Sequence, residues 1–185
     1  MKIGIIGLPQ TGKKTLFELL TTHTISERDL ASGKNIKSLA EIKDPRFDRL
    51  VVMYKPKKEV RARIDIELLP KIEKDAITKG DIFKDIAETD ALCHVVRAFK
   101  DDSVYHISGS VDAGRDIDSV NSELILHDLI FIEKRLERVE LNIKKIKDET
   151  AVKERDLLLR MKAHLDKEVP LRLMDIKPEE KKMIA

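Results

Sequence analysis

Apolar and polar positions divide the chain into two regimes. Lys2–Ile6 is a short apolar run stopped by Gly7, which predicts a buried strand. A Gly/Pro/Thr turn follows, and residues 15–20 read as a helix. Residues 21–35 are polar and aperiodic and read as a loop. Pro45 opens a predicted helix that carries Phe47, Leu50, Val51 and Tyr54 and is closed by Lys55-Pro56. Val60, Ala62, Ile64, Ile66 and Leu68 alternate with Arg61, Arg63, Asp65 and Glu67, the period of a strand that Pro70 stops. Residues 76–88 read as a loop and then a helix with Ile82, Phe83 and Ile86, and 91–99 as another apolar strand. This order predicts an α/β sheet whose ligands sit at the carboxyl ends of its strands.

After Gly114 the period changes. Ile117, Val120, Leu124, Leu129, Ile132, Leu136, Val139, Ile143 and Ile146 recur mostly at steps of three and four, with charges on the other faces. No Pro or Gly interrupts them, so a long amphipathic helix with coiled-coil spacing is expected. Asp148-Glu149-Thr150 serves as a turn, and a second helix carries Val152, Leu158, Met161 and Leu165 and ends before Pro170. Two such helices make an antiparallel hairpin. The chain restarts a helix at Pro178, a favourable first helical residue. The expected division is a sheet part at 1–114, a hairpin at 115–170, and a segment at 171–185 that returns to the first part.

Composition narrows the function. Among 185 residues, 38% are charged, above the roughly 25% of an average domain, which suits a long solvated helical part. Aromatics are 4% and Trp is absent, which argues against an aromatic platform for single-stranded nucleic acid. A formal net charge of +2 is too balanced to argue for bulk binding to nucleic acid or to an anionic membrane. Cys93 is the one cysteine, so no internal disulfide or cysteine metal cluster forms, and a reduced, cytoplasmic protein is expected. No apolar run approaches the ~20 residues of a membrane span, and the N-terminus reads as a strand that starts at once rather than as a signal peptide. None of the five histidines pairs with another at metal-ligand spacing.

The sharpest motif is Gly7-Leu8-Pro9-Gln10-Thr11-Gly12-Lys13-Lys14-Thr15, between a predicted strand and a predicted helix. The phosphate-loop pattern is Gly, four residues, Gly-Lys, then Ser or Thr. Its glycines let successive backbone N–H groups curl round a phosphate, the helix N-terminus adds partial positive charge, and Lys13 adds a full one. Gln10, Thr11, Gly12, Lys13, Lys14 and Thr15 are therefore the candidate phosphate-binding residues. Lys14 occupies the place of the hydroxyl that ligates Mg²⁺, and an ammonium repels a cation instead of ligating it. Thr15 lies one residue on, about 100° round the helix. The rival reading is a glycine turn that merely joins strand to helix.

At these residues the chain resembles the Obg-like ATPase (YchF) family of P-loop NTPases. The resemblance rests on residues 4–20 (GIIGLPQTGKKTLFELL), Asp44-Pro45-Arg46-Phe47-Asp48-Arg49-Leu50 with Tyr54-Lys55-Pro56-Lys57-Lys58, and His94-Val95-Val96-Arg97-Ala98-Phe99. It rests most specifically on Val111-Asp112-Ala113-Gly114-Arg115-Asp116-Ile117, with 121–129 and Glu133-Lys134-Arg135-Leu136 following. The family implies a G-domain-like P-loop sheet, incomplete here at its C-terminal end, with an inserted coiled-coil hairpin. It implies ATP or GTP as ligand, and a ribosome or RNA contact through a hairpin whose Lys and Arg are interleaved with Glu and Asp, a pattern equally expected of a solvated helix face. No DNA sequence reading is implied. His106 matches the family position considered for water activation, against the plainer reading of a loop histidine. The family's Asp-x-Ala-Gly switch aligns with Asp65-Ile66-Glu67-Leu68, making Asp65 a candidate metal ligand beside Thr15; a rival register puts Leu69 at the Asp. The stretch Lys74 to Gly80 lacks the family's glycines, and the family's Asn-x-x-Glu and ubiquitin-like domain would lie beyond Ala185.

Two expectations follow. One is an Obg-like nucleotide-binding protein, for ATP or GTP, with weak or absent Mg²⁺-dependent hydrolysis. The other is a non-hydrolysing coiled-coil adaptor whose phosphate loop is a relic or an anion nest.

Overall fold

The computed structural model describes residues 1–70, 81–145 and 149–184. The glycine-poor stretch 74–80, Ile146 and the turn residue Asp148 lie outside them. The chain forms two compact units, a first from Met1 to Asp116 and a second from Ile117 on.

The first unit is built on four strands, β1 (Lys2–Ile6), β2 (Ile36–Glu41), β3 (Arg63–Leu68) and β4 (Ala91–His94), in the order β2-β3-β1-β4. β1 is parallel to β3 and to β4, and β2 is antiparallel to β3. Its helices are α1 (Lys13–Leu20), α2 (Glu27–Ala31), α3 (Pro45–Tyr54) and α4 (Asp81–Ala87). Strand alternation sends Ile5, Ile66 and Leu68 to one face, where they bury the ring of Phe17 from α1. Ile36, Ala40, Ile64, Cys93 and Val95 pack round them.

The predicted strands and helices are present, with instructive differences. Residues 21–35 contain α2, because Ser26 Oγ accepts from Asp29 N–H (3.2 Å) while Asp29 Oδ2 accepts from Ser26 N–H (2.8 Å). That reciprocal cap offsets the missing apolar period. β2 was not expected: it alternates, but Leu39 lies on its exposed side and hides the pattern. β4 stops at His94 although the apolar run continues, because β1 ends at Ile6 and offers no further partner beyond the Val95 N–H to Ile6 carbonyl bond of 2.9 Å. α3 begins where Asp44 caps Arg46 N–H (2.9 Å) and Pro45 pre-sets the first turn.

The second unit is an antiparallel pair of helices, α5 (Ala113–Lys145, which starts in the first unit) and α6 (Glu149–Leu165). Ile132, Leu136 and Val139 bury against Leu157, Leu158, Met161 and Leu165. Arg135–Glu154 (2.7 Å) and Lys162–Glu133 link the two helices beside this seam. The stretch expected to return to the first part lies against the hairpin: Leu171, Met174, Ile176 and Ile184 of the 3₁₀ turn Leu171–Leu173 and α7 (Pro178–Ile184) cover its core.

The sheet's other face holds one buried carboxylate. Glu67 is 1% exposed and is met by Lys2 Nζ (2.7 Å), Asn35 Nδ2 (2.9 Å) and Lys37 Nζ (3.4 Å), from β1, the β2 approach and β2. Burial pushes its acidity towards the neutral form, but hydrogen bonds from Lys2 and Asn35 and the charges of Lys2 and Lys37 outweigh it and hold the carboxyl below its ordinary range. The unfolded chain therefore takes up this proton more readily than the folded one. The stabilisation is full above the ordinary glutamate value of about 4.3 and is lost as pH falls through the lower folded value. Glu67→Ala leaves Lys2 to Glu88 (3.5 Å) and to solvent, so the loss should be about 1–3 kcal/mol at neutral pH, that of the buried hydrogen bonds. Chemical denaturation across the acid limb should show the first unit's stability falling in the native chain and much less in the variant.

Candidate phosphate site

The phosphate loop follows from where β1 ends. Leu69 N–H donates to Ile5 O (3.1 Å) on one side and Val95 N–H to Ile6 O (2.9 Å) on the other, and the chain then turns at Gly7. Gly7 has φ +147° and lies so close to β4 that a Cβ would sit 2.3 Å from the Val95 carbonyl oxygen. Gln10 (φ 63°) and Gly12 (φ 92°) complete the reversal, and Thr11 Oγ1 pins it by donating to Leu8 O (3.1 Å). α1 starts at Lys13 without a side-chain cap and with no acidic residue in its first turn. Its amino end keeps an uncompensated positive field, the electrostatic condition for holding an anion.

Lys13 is buried and its Nζ donates to the carbonyls of Gly7 and of Leu8 (2.8 Å), inside the ring of the loop. Gln10, Thr11, Gly12, Lys13, Lys14 and Thr15 all line one cleft of about 390 Å³, with Phe99 and Val104 as its other wall. Lys13 and Lys14 also reach a second groove, of about 400 Å³, across from Asp29, Lys34, Ile36 and Leu69. Lys34 was not singled out by the motif; it arrives through the bend at Gly33 (φ 63°), for which the sequence carries no signature.

The metal candidates are not brought together. Asp65 pairs with Lys2 at the start of β1 and is exposed there, about 13 Å along the strands from the loop end at 3.3 Å per residue. Leu69, whose N–H meets Ile5 O, is level with the end of β1, and Asp65 lies four residues back along β3. Lys14 and Thr15 are exposed on the first turn of α1. Among the described residues no group of three or more His, Cys, Asp or Glu gathers to hold a metal. A nucleotide-bound magnesium ion keeps several waters and would ask only one or two oxygens of the protein; here Lys14 puts an ammonium at the motif's hydroxyl position.

His106 is 6% exposed, and its ring is committed on both sides. Nδ1 accepts from Ser108 N–H (3.1 Å), which puts the ring hydrogen on Nε2, 2.9 Å from Asp116 Oδ2. Asp116 Oδ1 takes Arg115 Nε (3.2 Å) and an Arg115 terminal nitrogen (3.0 Å). His106 thus ties its loop to the start of α5, and in this arrangement neither ring nitrogen is open to a water.

Arg97 is an organiser that sequence reasoning passed over. Among the described residues no carboxylate lies within ion-pair distance of this 2% exposed side chain; its guanidinium donates to the carbonyls of Phe99 (3.2 Å), Asp101 (3.1 Å) and Val104 (2.9 Å) and lies 4.7 Å from the Phe99 ring centre. It therefore shapes the stretch that supplies the far wall of the cleft. The one available signal was an arginine inside an apolar run. His94, at the carboxyl end of β4, is held below the ordinary imidazole range by burial and then by the charge of Lys13, with Asp116 opposing. It is neutral at pH 7.

Comparison with known proteins agrees with this geometry. No family model matches the chain. It is 36% identical over 189 residues to the ribosome-binding ATPase YchF of Bacillus subtilis, covering 98% of this chain and 51% of that protein. It is 36% identical over 184 residues to Obg-like ATPase 1 of Caenorhabditis elegans, covering 93% of this chain and 45% of that one. The structure of the Schizosaccharomyces pombe YchF GTPase superposes on the whole chain with a TM-score of 0.75 and 27% identity, using 52% of its own length. The chain thus spans about half the length of the relatives it matches.

The two loop glycines should respond differently to the same substitution. At Gly12 an added Cβ meets nothing within 4 Å, so Gly12→Ala should cost only the about 1–3 kcal/mol of its left-handed backbone. Gly7→Ala must also displace the Val95 carbonyl, and should destabilise the first unit by more than that in urea or thermal unfolding. Equal losses would show that the contact with β4 is not what demands glycine.

Proposed function

The chain belongs to the Obg-like ATPase (YchF) family of P-loop NTPases, as a counterpart of its N-terminal part, and on that premise we propose that it binds ATP or GTP through residues 7–15 with weak or absent Mg²⁺-dependent hydrolysis. The observation that carries the reading is the loop itself: Lys13 buried within a ring of backbone, at the uncapped amino end of α1. In the bound state the N–H groups of residues 10–15 and the Lys13 ammonium hold the β- and γ-phosphates. Lys14, one residue on, supplies a second positive charge where relatives of the motif place a magnesium ligand. It takes over part of the ion's neutralising role while repelling the ion itself. Contact with the ribosome through the α5–α6 hairpin is proposed on the printed function of the B. subtilis relative, and a cytoplasmic location accords with it. No helix of the described residues is long and apolar enough to cross a membrane.

Calorimetric titration with ATP and with GTP, with and without Mg²⁺, tests the reading. Lys13→Ala removes a charge-assisted contact of roughly 1.5–3 kcal/mol and should weaken affinity by about tenfold or more. Unchanged affinity sinks the phosphate site and leaves the coiled-coil adaptor.

The metal is tested separately. Affinity of the unaltered chain should depend little on Mg²⁺, and Lys14→Ser should introduce such dependence without necessarily restoring hydrolysis. If the unaltered chain binds nucleotide markedly better with Mg²⁺, Thr15 or another group holds the ion and the role given to Lys14 is wrong.

A further inference from the structure

We infer that α3 and the segment after it form an RNA-binding surface, which deepens the ribosome part of the proposed function by giving it a site away from the hairpin. The near-neutral total charge conceals a strong local surplus: residues 43–63 carry eight Lys or Arg against three Asp or Glu. Asp44 is taken by Arg46 (2.7 Å) and Asp48 by Arg61. Arg63 turns to Glu41 (2.8 Å). Lys43, Arg49, Lys55, Lys57 and Lys58 have no carboxylate within ion-pair distance among the described residues. All five are exposed.

The same segment leaves an apolar face uncovered. α3 has no buried residue, Leu50, Val52 and Met53 are more than half exposed, and the Tyr54 ring is 73% exposed. A groove of about 520 Å³ runs past Leu50, Tyr54, Pro56, Lys58 and Val60. Exposed cations along this groove suit a single-stranded RNA, which brings a phosphate with every nucleotide; Tyr54 offers a ring to one base, not the row of aromatic side chains that the composition argues against. An acidic peptide offers the charge but no nucleobase to lay against Tyr54; Glu59, which also lines the groove, opposes either ligand.

Lys55 supplies a further observation. It ends α3 at φ 42°, donating its N–H to Val51 O (2.9 Å), in the left-handed conformation that glycine adopts without strain. The chain carries a strained lysine where the backbone favours glycine, and that lysine adds its charge at the head of Lys57 and Lys58.

The test is fluorescence anisotropy of a labelled oligouridine titrated with the full chain at several salt concentrations. Lys57→Glu with Lys58→Glu should lower affinity by about tenfold or more. It should also flatten the slope of log K against log salt by about 1.4, at about 0.7 per phosphate. Lys55→Gly should weaken RNA binding while the melting temperature holds or rises, which separates loss of contact from loss of fold. Lys181→Glu with Lys182→Glu on α7, the same charge change elsewhere, should leave the affinity as it was. The inference is overturned if the α3 variants bind the oligomer as the unaltered chain does, if the α7 control loses as much, or if a labelled oligoglutamate binds as tightly as the RNA. Co-sedimentation of the unaltered chain with ribosomes reads the ribosome proposal on its own, so the two can fail separately.

Discussion

The close approach of β4 to the end of β1 is the constraint on which the first unit depends. β1 is paired on both edges, and both partners run level with its last residues, so the chain has to leave the sheet at Gly7. With the Val95 carbonyl where a side chain would start, only glycine can make that exit. The turn that results folds the Gly7 and Leu8 carbonyls onto Lys13 and launches α1 in the direction that lays Phe17 over Ile5, Ile66 and Leu68. Core packing and the anion cradle are two ends of one short segment, so damage to either is felt by both.

Much of this was legible in order along the chain. β1, α1, α3 and the hairpin announce themselves because each has a clean apolar period or a firm stop: Gly7, Pro45, the uninterrupted run after Gly114. What escaped has local physical causes. α2 is held by a capping box in a polar stretch, and β2 presents Leu39 on its exposed side, so neither carries the expected pattern. At the site, the six phosphate-loop residues follow from spacing because the cradle is contiguous in sequence. The height of Asp65 along its strand was not legible, because alternation fixes the face of a residue and only the pairing with Lys2 fixes its level. The ties of His106 and Arg97 are to residues whose proximity no spacing rule encodes.

Charge is organised locally in a chain whose total nearly cancels. A buried carboxylate draws two lysines and an asparagine to one face of the sheet, while the first turn of α1, which carries Lys13 and Lys14, holds no acidic residue. Lys14 in place of the motif hydroxyl shifts the loop the same way, from an oxygen donor towards a cation.

The sheet's connectivity also sets an order of events. Lys2 pairs with Asp65 and Ile3 with Ala91, so the sheet's first strand in chain order waits for partners that emerge far later. The α5–α6 pair joins neighbours in sequence, and contacts of that kind form faster than distant strand pairings. The hairpin therefore closes quickly once its residues are out, whereas β1, with its edges unpaired until β3 and β4 arrive, is the segment left exposed longest during synthesis.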